Sequence, residues 1–140
     1  MVLHGRAISQ ITDHEGRAVC VGLYAGPCFV TPHIARTRES VSLVSLEVTQ
    51  DAVIADMDAN ILLDMMLRSQ GMRDWANGIL RAELARKTDR EWCLAALGGA
   101  DRLDWFRNRY PNHEALFSHG LIASFLGMTP VTLSRLRRSS

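Results

Sequence analysis

The chain has 140 residues, 47% of them hydrophobic, and a formal net charge of +1. That length predicts one domain, or two small ones sharing a core. No apolar run reaches the ~18 residues of a membrane span, no apolar signal region opens the chain, and bulk charge gives no argument for nucleic acid.

The first third reads as β. Residues 2–8 form a short strand, Asp13-His14-Glu15-Gly16 a turn, and residues 17–24 an alternating partner strand, so the two make a hairpin. Ala25-Gly26-Pro27 breaks the strand, Thr31-Pro32 breaks the chain again, and residues 34–39 read as loop or a single turn. Residues 41–48 alternate apolar and polar with a shift near Val44, and residues 52–57 form the last strand.

Helices take over from there. Asp58 is an N-cap for residues 59–69, with Ile61, Leu62, Met65 and Met66 on one face. Gln70-Gly71 interrupts, and a long helix runs from 72 to about 97. Met72, Trp75, Ala76, Ile79, Leu80 and Leu84 give it an apolar stripe that needs a partner, either the β unit, another subunit, or both. Gly98-Gly99 ends it. Residues 100–110 form a further helix with Leu103, Trp105 and Phe106 inward and Arg102, Arg107 and Arg109 outward, and Pro111-Asn112 stops it.

The last stretch predicts two helices, 113–126 and 130–138, joined by a tight turn. Gly127 occupies the position that needs a positive φ. Thr129 is an N-cap and Pro130 the first helical residue. Ala123 is small where the helices touch, Leu133 and Leu136 face back at the first helix, and Ser134, Arg135, Arg137 and Arg138 face outward. This is a helix-turn-helix pattern. The segment after Ser134 holds three arginines and no acid, a local basic patch.

Other chemistry finds little support. Cys20, Cys28 and Cys93 form no CxxC pair, and an odd, scattered count fits reduced thiols in the cytoplasm. The five histidines show no metal-ligand spacing, and Asp101, Asp104 and Glu114 read as solvent-facing acids on amphipathic helices. No GxSxG, P-loop or GxGxxG motif is present. We therefore expect no enzyme, no metal and no cofactor.

Residues 102–111, Arg-Leu-Asp-Trp-Phe-Arg-Asn-Arg-Tyr-Pro, followed by Leu121-Ile-Ala-Ser-Phe-Leu-Gly-Met-Thr-Pro-Val-Thr-Leu-Ser-Arg135, resemble the Crp/Fnr family of bacterial transcription regulators, whose pattern is an arginine-led helix and then IAxxLGxTxxTLSR. More weakly, Gly5, residues 13–17, Gly26, Phe29 and residues 45–57 resemble the second half of that family's cyclic-nucleotide-binding roll. The resemblance implies an α+β chain: a partial antiparallel β-roll with its following helix (1–71), a connecting dimerisation helix (72–98) and a helix-turn-helix DNA-binding bundle (99–140).

Three departures shape the expectation. The strands that normally precede Val2 are lacking, so a second subunit covers the apolar strand faces or the gene is truncated. The family's Gly-Glu pair and arginine, which hold the ribose and cyclic phosphate, are replaced by Thr31-Pro32 and, near the arginine position, Ser42, with Arg36 and Arg38 close but beside Glu39. A buried phosphate without its cation is badly paired, so the roll is not expected to bind cAMP. The family's β-hairpin wing is absent after the last helix.

On the resemblance, residues 130–138 enter the major groove of double-stranded DNA. Arg135 matches the base-reading arginine and can donate twice to guanine, worth about 1–3 kcal/mol of discrimination. Ser134 reaches a base or phosphate, Thr129 and Thr132 donate to phosphate at the helix N-terminus, Arg137 and Arg138 are further phosphate contacts, and Val131 touches a thymine methyl. Met72, Trp75, Ile79 and Leu80 are the expected seam of a homodimer, with its recognition helices about 34 Å apart. The resemblance also implies RNA polymerase as a partner and no membrane. The alternative is a module in which the roll binds a small ligand or protein and the terminal helices are only structural.

Overall fold

The structure, a computed structural model, describes residues 1–30, 37–38, 41–49 and 51–139, with 37–38 as backbone alone. The chain is α+β. Among the described residues, seven short antiparallel strands come first, β1 (Val2–His4), β2 (Arg6–Thr12), β3 (Ala18–Ala25), β4 (Thr37–Arg38), β5 (Val41–Ser42), β6 (Ser45–Val48) and β7 (Val53–Ile54). Six helices follow, α1 (Ala59–Arg68), α2 (Gln70–Ala96), α3 (Gly99–Arg109), α4 (His113–Leu116), α5 (His119–Phe125) and α6 (Pro130–Ser139).

The expected hairpin is β2–β3, and β6 adds to its other edge in the order β3-β2-β6. Asp13 builds the turn by accepting the amides of Glu15 and Arg17, both at 2.9 Å. The first expected strand is two. Gly5 sits at φ +82°, a conformation that costs glycine nothing, and separates β1, which pairs with β7, from β2. Thr31, Pro32 and Arg36 lie outside the described residues. Ser42 does fall among them, and its hydroxyl is taken by the backbone of Val44, donating to its carbonyl at 2.8 Å.

The two faces of the β3-β2-β6 sheet do different work. Ala7 and Tyr24 pair on one face, under Val2, Cys28 and Val30. Ile8 and Leu23 pair on the other, with Gln10 and Cys20, because the register shifts between Ser9 and Gln10 and leaves Val21 as an extra residue. That bulge puts Cys20 and Leu23 on one face although they are three apart. Both belong to the same core as Leu103, Phe106, Ile122, Phe125 and Leu133, so sheet and terminal helices are built on one hydrophobic cluster.

Asp58 caps α1 as expected, accepting from the amides of Asn60 and Ile61. The interruption between α1 and α2 is Ser69, not Gln70-Gly71: Ser69 is extended and its hydroxyl caps α2. The expected helix 113–126 divides into α4 and α5, because Ser118 stops one and caps the next by accepting the amide of Leu121 at 3.3 Å.

Candidate nucleic-acid interface

The terminal helices form the expected helix-turn-helix. Gly127 takes φ +63° between α5 and α6. Thr129 accepts the Thr132 amide at 3.1 Å, and the two hydroxyls are 2.9 Å apart. Ile122, Ala123, Leu126 and Leu133 are completely buried. Leu133 and the partly buried Leu136 bolt α6 to the core. The opposite face of α6 carries Val131, Arg135 and Arg138, all exposed at three- and four-residue spacing, with Ser134 half-buried beside them. Thr129 and Thr132 are exposed at the N-terminal end, where amides left without helical acceptors favour an anion.

Arg137 departs from the expected placement. It is half-buried, and its Nε donates to Glu114 Oε1 at 2.9 Å. Glu114 gives its other oxygen to Arg107 Nε, also at 2.9 Å. Two guanidiniums, from α6 and α3, thus share the one carboxylate of α4. Burial alone would raise the Glu114 carboxyl; the Arg107 and Arg137 guanidiniums outweigh it and hold the group below its ordinary range. Glu114 and Arg107 are therefore not the outward-facing groups that the amphipathic pattern predicts.

Arg102 is a second correction, since it faces carbonyls rather than solvent. Its guanidinium donates to Leu94 and Leu97 O at 2.9 Å each, and to Leu126 O at 3.1 Å. One side chain thus satisfies the C-terminal carbonyls of α2 and α5, groups that have no partner in their own helices. Arg90 makes a similar bridge. From α2 it donates to Phe125 O at 3.0 Å and to Cys20 O at 3.3 Å, with its guanidinium 4.8 Å from the Phe125 ring centre. The helix-turn-helix is thereby fixed to both the sheet and the long helix.

The four residues expected to share a dimer seam do not share an exposed stripe. Ile79 is half-buried and lines a groove with Leu23, Tyr24 and Phe29. Trp75 packs edge-on against Phe29 with ring centres 5.4 Å apart. Met72 is half-buried, whereas Leu80 is 51% exposed and is joined on the outer side by Leu84, at 65%. Further along the inner side, Arg86 donates to Glu83 at 2.7 Å and to the Tyr24 hydroxyl at 2.9 Å, which ties α2 to β3.

Among the described residues no cluster of His, Cys, Asp and Glu could hold a metal ion, and no helix is long and apolar enough to cross a membrane. No family model matches the sequence, and no curated protein matches it. Solved structures do share its fold. A chain from Eubacterium rectale, assigned to the Crp/Fnr family of transcriptional regulators, superposes with a TM-score of 0.70 at 18% identity, over 99% of this chain and 67% of that one. FixK2 from Bradyrhizobium japonicum superposes with a TM-score of 0.74, also at 18% identity, over 99% of this chain and 72% of that one. The chain therefore has the Crp/Fnr fold: a partial roll, a long helix and a helix-turn-helix.

Proposed function

We infer that the protein is a DNA-binding transcription regulator that reads the major groove with α6. The observation that carries this reading is the division of α6 into a face locked by Leu133 and an exposed face bearing Val131, Arg135 and Arg138. A helix held by its inner side presents its outer side chains at a fixed angle, as groove reading requires. Arg135 reads guanine with two donors, Val131 meets a thymine methyl, and Arg138, Thr129 and Thr132 contact phosphate. Residues 99–140 are the DNA-binding unit, 72–98 the connecting helix, and 1–71 the roll with its following helix.

The protein acts as a homodimer through the outer side of α2, where Leu80 and Leu84 are exposed one helical turn apart. The two α6 helices then meet successive turns of the duplex, about 34 Å apart. The roll does not bind cAMP: Ser42, near the position of the phosphate-binding arginine, carries no cation and turns its hydroxyl into the backbone of Val44. Transcriptional output requires a contact with RNA polymerase, and the protein works in the cytoplasm.

Selection of bound sites from a random duplex pool, run beside Arg135→Ala, tests the reading. Wild type should enrich a two-fold symmetric motif, and the variant should lose preference at one guanine per half-site. Folded wild type that enriches no motif at any salt overturns it and favours the ligand- or protein-binding roll.

A further inference from the structure

Arg137 lies on the flank of α6, between the buried Leu133 and the exposed Arg138, and should face the duplex edge. Instead Glu114 holds it. The carboxylate is fully used, one oxygen on Arg137 Nε and the other on Arg107 Nε, both at 2.9 Å. The three groups are all partly buried, with side-chain exposures of 27% for Arg137, 34% for Arg107 and 31% for Glu114. Among the described residues no such pairing engages Arg135 or Arg138, which remain exposed on the same helix. We propose that Glu114 holds down sequence-independent DNA affinity by withholding Arg137 from the phosphate backbone.

Phosphate contacts raise affinity for every sequence alike, whereas base contacts distinguish sequences. Pairing a sequence-blind arginine with an acid on the same chain lowers affinity for every duplex alike and leaves the base-reading Arg135 untouched. The triad also keeps two guanidiniums from repelling each other, so the helix end stays docked while its charge is masked. A purely structural Glu114 would predict the opposite sign, because undocking the end of α6 weakens binding to any duplex.

This inference rests on α6 binding DNA, and the experiment separates the two. Affinity of the full chain for a selected and a scrambled duplex is measured between 50 and 200 mM salt for wild type, Glu114→Gln, Arg137→Gln and the double variant, with thermal melts for folding. Glu114→Gln should tighten scrambled-duplex binding at low salt. The freed Arg137 should enlarge the loss of affinity between 50 and 200 mM salt by roughly 3-fold. Adding Arg137→Gln should remove the gain. Arg137→Gln alone should leave scrambled-duplex affinity unchanged, whereas Arg138→Gln weakens it; this comparison does not depend on Glu114→Gln folding. A folded Glu114→Gln with unchanged or weaker binding overturns the inference, as does an Arg137→Gln loss equal to that of Arg138→Gln. Wild type that binds neither duplex overturns the DNA-binding reading, and this one with it.

Discussion

Cys20 and Ser124 are 104 positions apart, yet the backbone amide of Cys20 donates to the Ser124 hydroxyl at 2.9 Å. The bond joins the middle of β3 to α5, the first helix of the helix-turn-helix. It sits over the shared core of Cys20, Leu23, Ile122 and Phe125, and Arg90 fastens the same junction from α2. A swing of the terminal helices away from the sheet has to break all of these together.

Ser124→Ala should therefore destabilise the whole chain, not one part of it. The substitution leaves the part-buried Cys20 amide without an acceptor, a cost of about 1–3 kcal/mol. Urea unfolding followed by tryptophan fluorescence and by circular dichroism should show one coincident transition at a lower midpoint. Two separated transitions in the wild type would mean that sheet and helices fold as independent units.

Arg102→Lys should be nearly as damaging as Arg102→Ala. The guanidinium reaches the carbonyls of Leu94, Leu97 and Leu126 at 2.9–3.1 Å because its donors fork in a plane. An ammonium is a single point and cannot span the ends of two helices. Either change should lower stability by on the order of 3 kcal/mol in denaturant titrations. Rescue by lysine would show that charge at the helix ends matters more than geometry.

The turn chemistry of the terminal helices was legible because each residue there satisfies a local demand: positive φ at Gly127, a cap from Thr129, close packing at Ala123. The β hairpin was legible for the same reason. What local pattern hides is pairing across the chain. Alternation places Cys20 and Leu23 on opposite faces, and only the bulge at Val21 brings them together. Charge patterning places Arg102, Arg107 and Arg137 in solvent, because their carbonyl and carboxylate partners lie up to 24 residues away. One signal was available: the Met72–Ala76–Ile79 stripe, continued by threes and fours, passes through Glu83, Arg86, Arg90 and Cys93, so those charges had to face the sheet.

That inner stripe separates two substitutions on α2. Ile79→Asp puts a carboxylate into the groove against Leu23, Tyr24 and Phe29, where an unpaired charge is costly. It should lower the melting temperature. Leu84→Asp changes a side chain exposed on the single chain and leaves the core of that chain intact, yet it places like charges across a two-fold seam. Light scattering should report monomers for Leu84→Asp, with circular dichroism of a folded protein. A Leu84→Asp protein that remains dimeric places the seam elsewhere, with α1, where Leu63 and Leu67 are exposed one turn apart, as the next candidate.

Acid should weaken the junction through His113. Its ring lies among Phe106, Tyr110 and Phe117, at centre distances of 6.4, 5.2 and 5.3 Å. Burial there disfavours the imidazolium and lowers the group from its ordinary value of 6.5, only partly opposed by the Pro111 carbonyl. A lowered histidine means that the unfolded chain takes the proton first. Its contribution to stability is complete above the ordinary value, falls as pH drops through it, and levels off below the folded value. Glu114, held low by its arginines, adds its own loss only at still lower pH. The urea midpoint should therefore drop as pH falls through 6.5, and His113→Phe should flatten that drop while keeping the ring contacts. An equal pH dependence in the variant would assign the loss to another group. A rise in stability on acidification would mean that the folded protein binds the proton more tightly, which the aromatic surroundings of His113 exclude.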